Sequence, residues 1–288
     1  MSRALVLGGG GPVGIGWESG LVVGLAAGGV NLGRADLVVG TSAGSVVGAQ
    51  LALGADLGAS LAELGTGGAV APAPGGMETL LNAMAAVAGE TSSPDEVRVA
   101  LGRLAVESPT PDEDSFVSLF SSLAGQPWPQ GFECTAIDVE TGALKVWDAD
   151  TGAALDRAVA ASCAVPGIYP PITIHGRRYM DGGMRTALNT DLASGHDVVV
   201  AVSCFPLSLP EGMSDPLFGA MIQAVEAEFT AVRDQGGALE VVVPGDEFLE
   251  ISGWGLHLMD FARVHAAFDA GRRQAEQELE RLGGPWAA

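Results

Sequence analysis

Ser42 stands at the centre of Gly40-Thr41-Ser42-Ala43-Gly44, directly after the apolar run Leu37-Val38-Val39. A stretch of helical spacing through Val46, Val47 and Leu51 follows. Strand, sharp turn with one serine, then helix is the arrangement that presents a hydroxyl as a nucleophile. Gly40 and Gly44 fit because the strained turn brings neighbouring backbone close, where side chains would collide. The helix that follows aims free N–H groups and a partial positive charge at the hydroxyl.

A second group precedes it. Gly8-Gly9-Gly10-Gly11-Pro12-Val13-Gly14 follows the short apolar run Ala4 to Leu7. Consecutive glycines let backbone N–H groups converge on one point, which stabilises an oxyanion. Gly9, Gly10, Gly11 and the closing Gly14 are the candidate oxyanion loop. Gly9-x-Gly11-x-x-Gly14 also fits a dinucleotide-binding string, but that site wants an acidic residue at the end of the second strand. Here the second strand ends in Val38-Val39-Gly40 and runs into the serine turn, which argues against a dinucleotide.

A serine nucleophile needs a base, and histidine is the usual one. None of His175, His196, His257 and His265 has a sequence context that marks it as a partner. Asp181-Gly182-Gly183, after the strand-like Arg177 to Met180, offers a carboxylate instead. Alone it reads as an ordinary turn.

These groups need a scaffold. The two short apolar strands alternate with helices at Ile15 to Ala27 and after Ser42, the signature of β-α-β units and a mainly parallel sheet. Between about residues 56 and 130 the pattern becomes helical, with Ser93-Pro94-Asp95-Glu96 as a helix start and Phe116, Leu119, Phe120 and Leu123 as an apolar stripe. That insertion is either a helical layer packed on the sheet or a mobile flap whose apolar face meets lipid. Strands resume at Phe132 to Val139, Leu144 to Trp147, Asp197 to Cys204 and Leu239 to Val243. Helices are expected over Gly152 to Ser162, from Ser214 to Arg233 and over Phe261 to Leu282, the last with an Asp269–Arg273 pair. The expectation is one α/β domain over residues 1–288, with helices on both sides of the sheet.

Thirty-five acidic against 14 basic residues give a net charge of −21, which excludes nucleic acid as a partner and disfavours anionic membranes. Lys145 is the only lysine, and nothing around it supports Schiff-base or phosphate chemistry. Cys134, Cys163 and Cys204 are widely spaced in apolar contexts and read as buried free thiols of a reducing compartment, the cytoplasm. No apolar stretch approaches the roughly 20 residues of a membrane span. No metal-ligand cluster and no cofactor site is legible.

The ordered set of glycine-rich loop, G-x-S-x-G and Asp-Gly-Gly resembles the patatin-like phospholipase family. The likeness runs through most of the first 205 residues, including Ala160 to Asp181 and Asn189 to Cys204. It implies a Ser42–Asp181 dyad in place of a triad, with loop amides holding the oxyanion and an acyl-enzyme intermediate. It also implies lipid or ester substrates, hydrolysis of the phospholipase A, lysophospholipase or esterase type, and peripheral membrane contact through the helical insertion. The alternatives are a non-hydrolytic lipid-binding or regulatory member of the same fold, or an acyltransferase. The family usually carries arginine or lysine where this chain has Val13, a departure that bears on headgroup preference more than on ester cleavage.

Overall fold

The computed structural model describes residues 1–64, 76–90, 93–208 and 215–287. The chain runs β1 (Arg3–Leu7), α1 (Gly11–Ala27), β2 (Leu37–Gly40), α2 (Ala43–Ala52), α3 (Leu57–Leu64), α4 (Gly76–Glu90), α5 (Pro94–Glu107) and α6 (Glu113–Ser118). It continues with β3 (Phe132–Asp138), β4 (Leu144–Trp147), α7 (Leu155–Ser162), β5 (Ile172–Ile174), β6 (Arg177–Asp181) and β7 (Val198–Val202). The last elements are α8 (Pro216–Asp234), β8 (Ala238–Val242), α9 (Asp246–Ser252) and α10 (Val264–Ala287).

One sheet has the order β5-β6-β3-β2-β1-β7-β8, with β4 paired to β3. From β3 to β8 every neighbouring pair is parallel, whereas β4, β5 and β6 pair antiparallel. The expected parallel sheet is therefore its centre, and an antiparallel flank completes it. Short connections explain the flank: Gly142 at φ 68° turns β3 back into β4, and Gly176 at φ 76° joins β5 to β6.

The strands are apolar on both sides because helices cover both faces. Leu5, Leu7, Val38, Val200 and Val202 face α1, α2 and α10, while Ala4, Val6, Val39, Val199 and Ala201 face Val225, Phe229 and Val232 of α8. The chain is thus a three-layer α/β fold, as its sequence pattern implies. Closest packing lies between α1 and α10. A Cβ at Gly20 would sit 2.0 Å from the Phe268 carbonyl oxygen, and one at Gly271 would sit 2.1 Å from that of Trp17. Glycine on both helices is what permits this approach.

Two expectations change at the level of detail, and the stripe left open between core and flap lies in the core. Arg273 pairs with Glu247 of α9 (Nε–Oε2 3.0 Å) rather than with Asp269, because α9 packs beside α10. The helix expected from Ser214 has Asp215 as N-cap, accepting from the Phe218 N–H at 2.9 Å, with Ser214 outside the described residues. The apolar stripe of the insertion is buried: Phe116, Phe120 and Leu123 are at most 9% exposed and join the main core, with Phe116 stacked on Tyr169 at 4.2 Å.

Candidate active site

The serine turn is built by backbone contacts that only glycine allows. Ser42 has φ 53° and ψ −117°, an unfavourable conformation for a residue with a side chain. A Cβ on Gly44 would lie 2.1 Å from the Leu7 carbonyl oxygen, and one on Gly40 would lie 2.5 Å from the Ser45 Cα. Gly44 N–H donates to the Gly8 carbonyl at 2.9 Å, so the elbow and the glycine-rich loop are bonded to each other. Ser42 N–H donates to Ser162 Oγ at 2.9 Å, which holds the turn from the α7 side.

Sheet register brings the carboxylate alongside. In β3, Cys134 faces Gly40 of β2 and Ala136 faces Asp181 of β6. The serine turn and Asp181 thus flank the same part of one strand. Strands lie about 4.8 Å apart, so side chains reaching over β3 can meet. The Ser42 side chain lies close enough to the Asp181 carboxylate to favour its ionised form, and both residues are buried, at 7% and 2% exposure. Asp181 Oδ1 also accepts from Gly183 N–H at 2.7 Å. Burial pushes the Asp181 carboxyl up to about 7 against the opposing pull of the Gly183 N–H and the nearby Ser42 side chain.

The two glycines after Asp181 have separate reasons. A Cβ on Gly182 would lie 2.2 Å from Thr135 Oγ1, and one on Gly183 would lie 2.9 Å from Asp181 Oδ1. Behind them a buried network ties the strands together. Thr41 Oγ1 lies 2.8 Å from Thr135 Oγ1, and Asn189 Nδ2 donates to Thr41 Oγ1 at 3.1 Å and to the Thr186 carbonyl at 3.1 Å.

The glycine-rich loop divides into engaged and unengaged donors. Gly9 N–H donates to the Ala187 carbonyl at 2.8 Å, and Gly14 N–H donates to the Gly10 carbonyl at 2.8 Å as the first turn of α1. Neither is available to a ligand, which corrects the expectation that all four glycines could serve. Among the described residues, the N–H groups of Gly10, Gly11 and Ala43 meet no acceptor. Gly11 and Ala43 line the same cavity as Ser42. Ala43 was legible in principle: the residue after the nucleophile supplies its N–H in many elbow hydrolases.

Below the loop lies Glu18, completely buried, whose Oε1 accepts from Gly8 N–H at 3.0 Å. Burial raises its pKa well above the ordinary carboxylate range, and the Cys204 thiol lies beside it. Nothing in the sequence marks a glutamate on an apolar helix for this place. Cys204 also fills the space next to Gly10, where a Cβ would be 2.5 Å from its Sγ. Val13 is buried in the core, and its N–H donates to the Leu258 carbonyl at 3.1 Å. Cys163 is not simply a core thiol. It lines the cavity, and its Sγ donates to the Ser42 carbonyl at 3.3 Å.

The cavity above Ser42 has a volume of about 420 Å³ and is mostly apolar, with Ile15, Val46, Phe116, Phe120, Tyr169 and Met259 among its walls. Among the described residues that line it, none carries a charge. None of the four histidines lines it or hydrogen-bonds to Ser42 or Asp181: His175 faces Thr151 and His196 faces Ala193. Lys145 lies over the Trp147 ring, 4.9 Å from its centroid, away from the cavity.

The chain has structural likeness to VipD from Legionella pneumophila (14% identity, TM-score 0.44), over 98% of this chain and 67% of that one. It has a weaker likeness to the type III effector protein ExoU (17% identity, TM-score 0.35), over 96% of this chain and 53% of that one. No curated protein matches by sequence. The profile of the patatin-like phospholipases matches residues 5–194, a span that holds the glycine-rich loop, the serine elbow and Asp181-Gly182-Gly183. This chain belongs to the patatin-like phospholipase family.

Proposed function

We propose that the protein is a serine acyl hydrolase of lipid esters in which Ser42 and Asp181 act as a dyad. The observation that carries the reading is the Ser42 side chain set beside a buried Asp181 whose carboxyl is pushed up to about 7 by burial. A carboxylate with that pKa accepts a proton from serine far more readily than a solvated one. Ser42 Oγ attacks the ester carbonyl as its proton passes to Asp181, and the carbonyl oxygen becomes an oxyanion. The N–H groups of Gly10, Gly11 and Ala43 are the donors available for it. Collapse expels the alcohol, which takes the proton from Asp181, and leaves an acyl-serine. Asp181 then draws a proton from water as that water attacks the acyl carbon, and Ser42 recovers its proton.

The apolar, uncharged cavity supports an acyl chain rather than a charged headgroup as the part enclosed beside Ser42. Among the described residues no helix is long and apolar enough to cross a membrane. Contact with lipid therefore belongs to the surface. Trp254 and Leu256, 56% and 73% exposed, precede the cavity-lining Met259 and are better placed for it than the buried stripe of the insertion. One folding unit over the whole chain is part of the proposal, supported by the close packing of α1 on α10.

The test is hydrolysis of a chromogenic medium-chain ester and of a mixed lipid extract, with released fatty acids read by mass spectrometry. Ser42→Ala and Asp181→Asn should abolish release while keeping the fold. A variant lacking all four histidines should retain activity. A folded, histidine-free protein without activity would overturn the dyad.

A further inference from the structure

A second cavity of about 210 Å³ adjoins the one above Ser42, and the two share Gln50, Ser60, Ser122 and Leu123 as walls. Gln50 is the notable member. Its side chain is 9% exposed, so more than nine-tenths of it is withdrawn from solvent. Its carboxamide, with two donors and an acceptor oxygen, makes no hydrogen bond among the described residues, yet it is not sealed from solvent and so is open to a ligand in the cavity. A ligand that filled the cavity without pairing this amide would desolvate it uncompensated. Gln50 is the only glutamine or asparagine lining the cavity above Ser42.

Helical spacing sets the distance. Ser42 caps α2, and Val46 and Gln50 follow at four-residue intervals, so all three line one face of the cavity. Eight residues at 1.5 Å per residue place Gln50 about 12 Å from Ser42 along the helix axis. The walls are apolar near Ser42 and become polar around Gln50, Ser60 and Ser122. Among the described residues neither cavity is lined by a charged side chain, so a carboxylate, phosphate or ammonium at that depth would meet no counter-charge from them.

We propose that Gln50 is a specificity residue for acyl esters whose chain carries a neutral oxygen, a hydroxyl or a keto group, near its far end. The inference rests on the hydrolase reading of the same cavity. An extended chain advances about 1.25 Å per carbon given C–C bonds near 1.5 Å, so the oxygen belongs on the order of nine carbons from the ester. The amide both donates to and accepts from such a group, and a plain alkyl chain leaves it unpaired. A site built to hydrogen-bond a substrate oxygen rejects the analogue that lacks it.

The experiment compares methyl decanoate with methyl 10-hydroxydecanoate by calorimetric titration of full-length Ser42→Ala protein, which prevents turnover. The hydroxylated ester should bind about tenfold more tightly, the order of one neutral hydrogen bond. In Ser42→Ala/Gln50→Met, of similar side-chain volume, the difference should vanish or reverse. Equal or tighter binding of methyl decanoate to Ser42→Ala, or discrimination that survives Gln50→Met, overturns the proposal. The comparison of the two ligands on Ser42→Ala protein needs no Gln50 variant to fold. Hydrolysis of both 4-nitrophenyl esters by wild-type protein forms the second arm: absence of any turnover overturns the hydrolase reading, while the binding difference reports on Gln50 alone.

Discussion

The Ser42 side chain lies beside the buried Asp181 carboxylate, and burial lifts that carboxyl to about 7. Nucleophile and candidate base come from strands on either side of β3, and none of the four histidines hydrogen-bonds to either or lines the cavity above Ser42.

The rate should therefore follow Asp181. General-base catalysis needs the ionised carboxylate, so kcat/KM for a soluble ester should rise from about pH 6 to pH 8 with a midpoint near the Asp181 pKa. A rate profile that is flat through that window, measured where the fold is intact, would remove Asp181 from the role.

Stability should move in the opposite direction. An aspartate raised from its ordinary value near 3.9 to about 7 favours the native state fully below pH about 4 and loses that contribution as pH rises through 7. Asp181→Asn cannot ionise, so its advantage over wild type in thermal denaturation should be larger at pH 8 than at pH 5. Glu228, also raised to about 7 by burial, adds a slope of the same sign to both proteins.

The loop glycines should not be equivalent. Gly11 has φ 58°, and a Cβ there would lie 2.7 Å from the Leu258 carbonyl oxygen, so Gly11→Ala displaces a candidate oxyanion donor. Loss of one such donor costs about 10²- to 10³-fold in kcat. Gly9→Ala places its methyl in ordinary contact, 3.5 Å from the Ser42 Cβ, and leaves the Gly9 N–H on Ala187. It should cost less than about tenfold, and steady-state kinetics of the two variants separates them.

Glu228 should be a structural anchor for the segment after Asp181. It accepts from Thr190 N–H at 2.9 Å and from the Thr186 hydroxyl, and Arg185 Nη1 lies 3.4 Å away. Glu228→Ala leaves the buried Thr190 N–H and Thr186 hydroxyl without their acceptor, while Arg185 keeps Asp191, so denaturant titration should show a loss of about 1–3 kcal/mol. Glu228→Gln, which keeps an acceptor oxygen, should lose less.

Lipid contact should depend on Trp254 and Leu256. The protein should float with zwitterionic phosphatidylcholine vesicles in preference to anionic ones, since its net charge is −21. Trp254→Ser/Leu256→Ser should reduce flotation while leaving hydrolysis of a soluble ester in place.

Much of the fold was written in local pattern. The apolar runs Ala4–Leu7 and Leu37–Val39, the glycines around Ser42 and the cap at Ser93 are short-range signals, and each appears where its spacing placed it. Family-level motifs likewise need only order along the chain. What the sequence could not fix was anything decided by strand order and hydrogen-bond partnership. That β6 lies beside β3, setting Asp181 next to Ser42, depends on a pairing between segments more than forty residues apart. Whether a loop N–H is free depends on its neighbours: Ala187 takes Gly9, and the first turn of α1 takes Gly14. Glu18 beneath Gly8, Cys163 against Ser42 and the unpartnered amide of Gln50 likewise emerge only from packing. Residue type determined which chemistry was available to this chain; tertiary contact, through burial and the assignment of each donor to an acceptor, decided which groups were left to perform it.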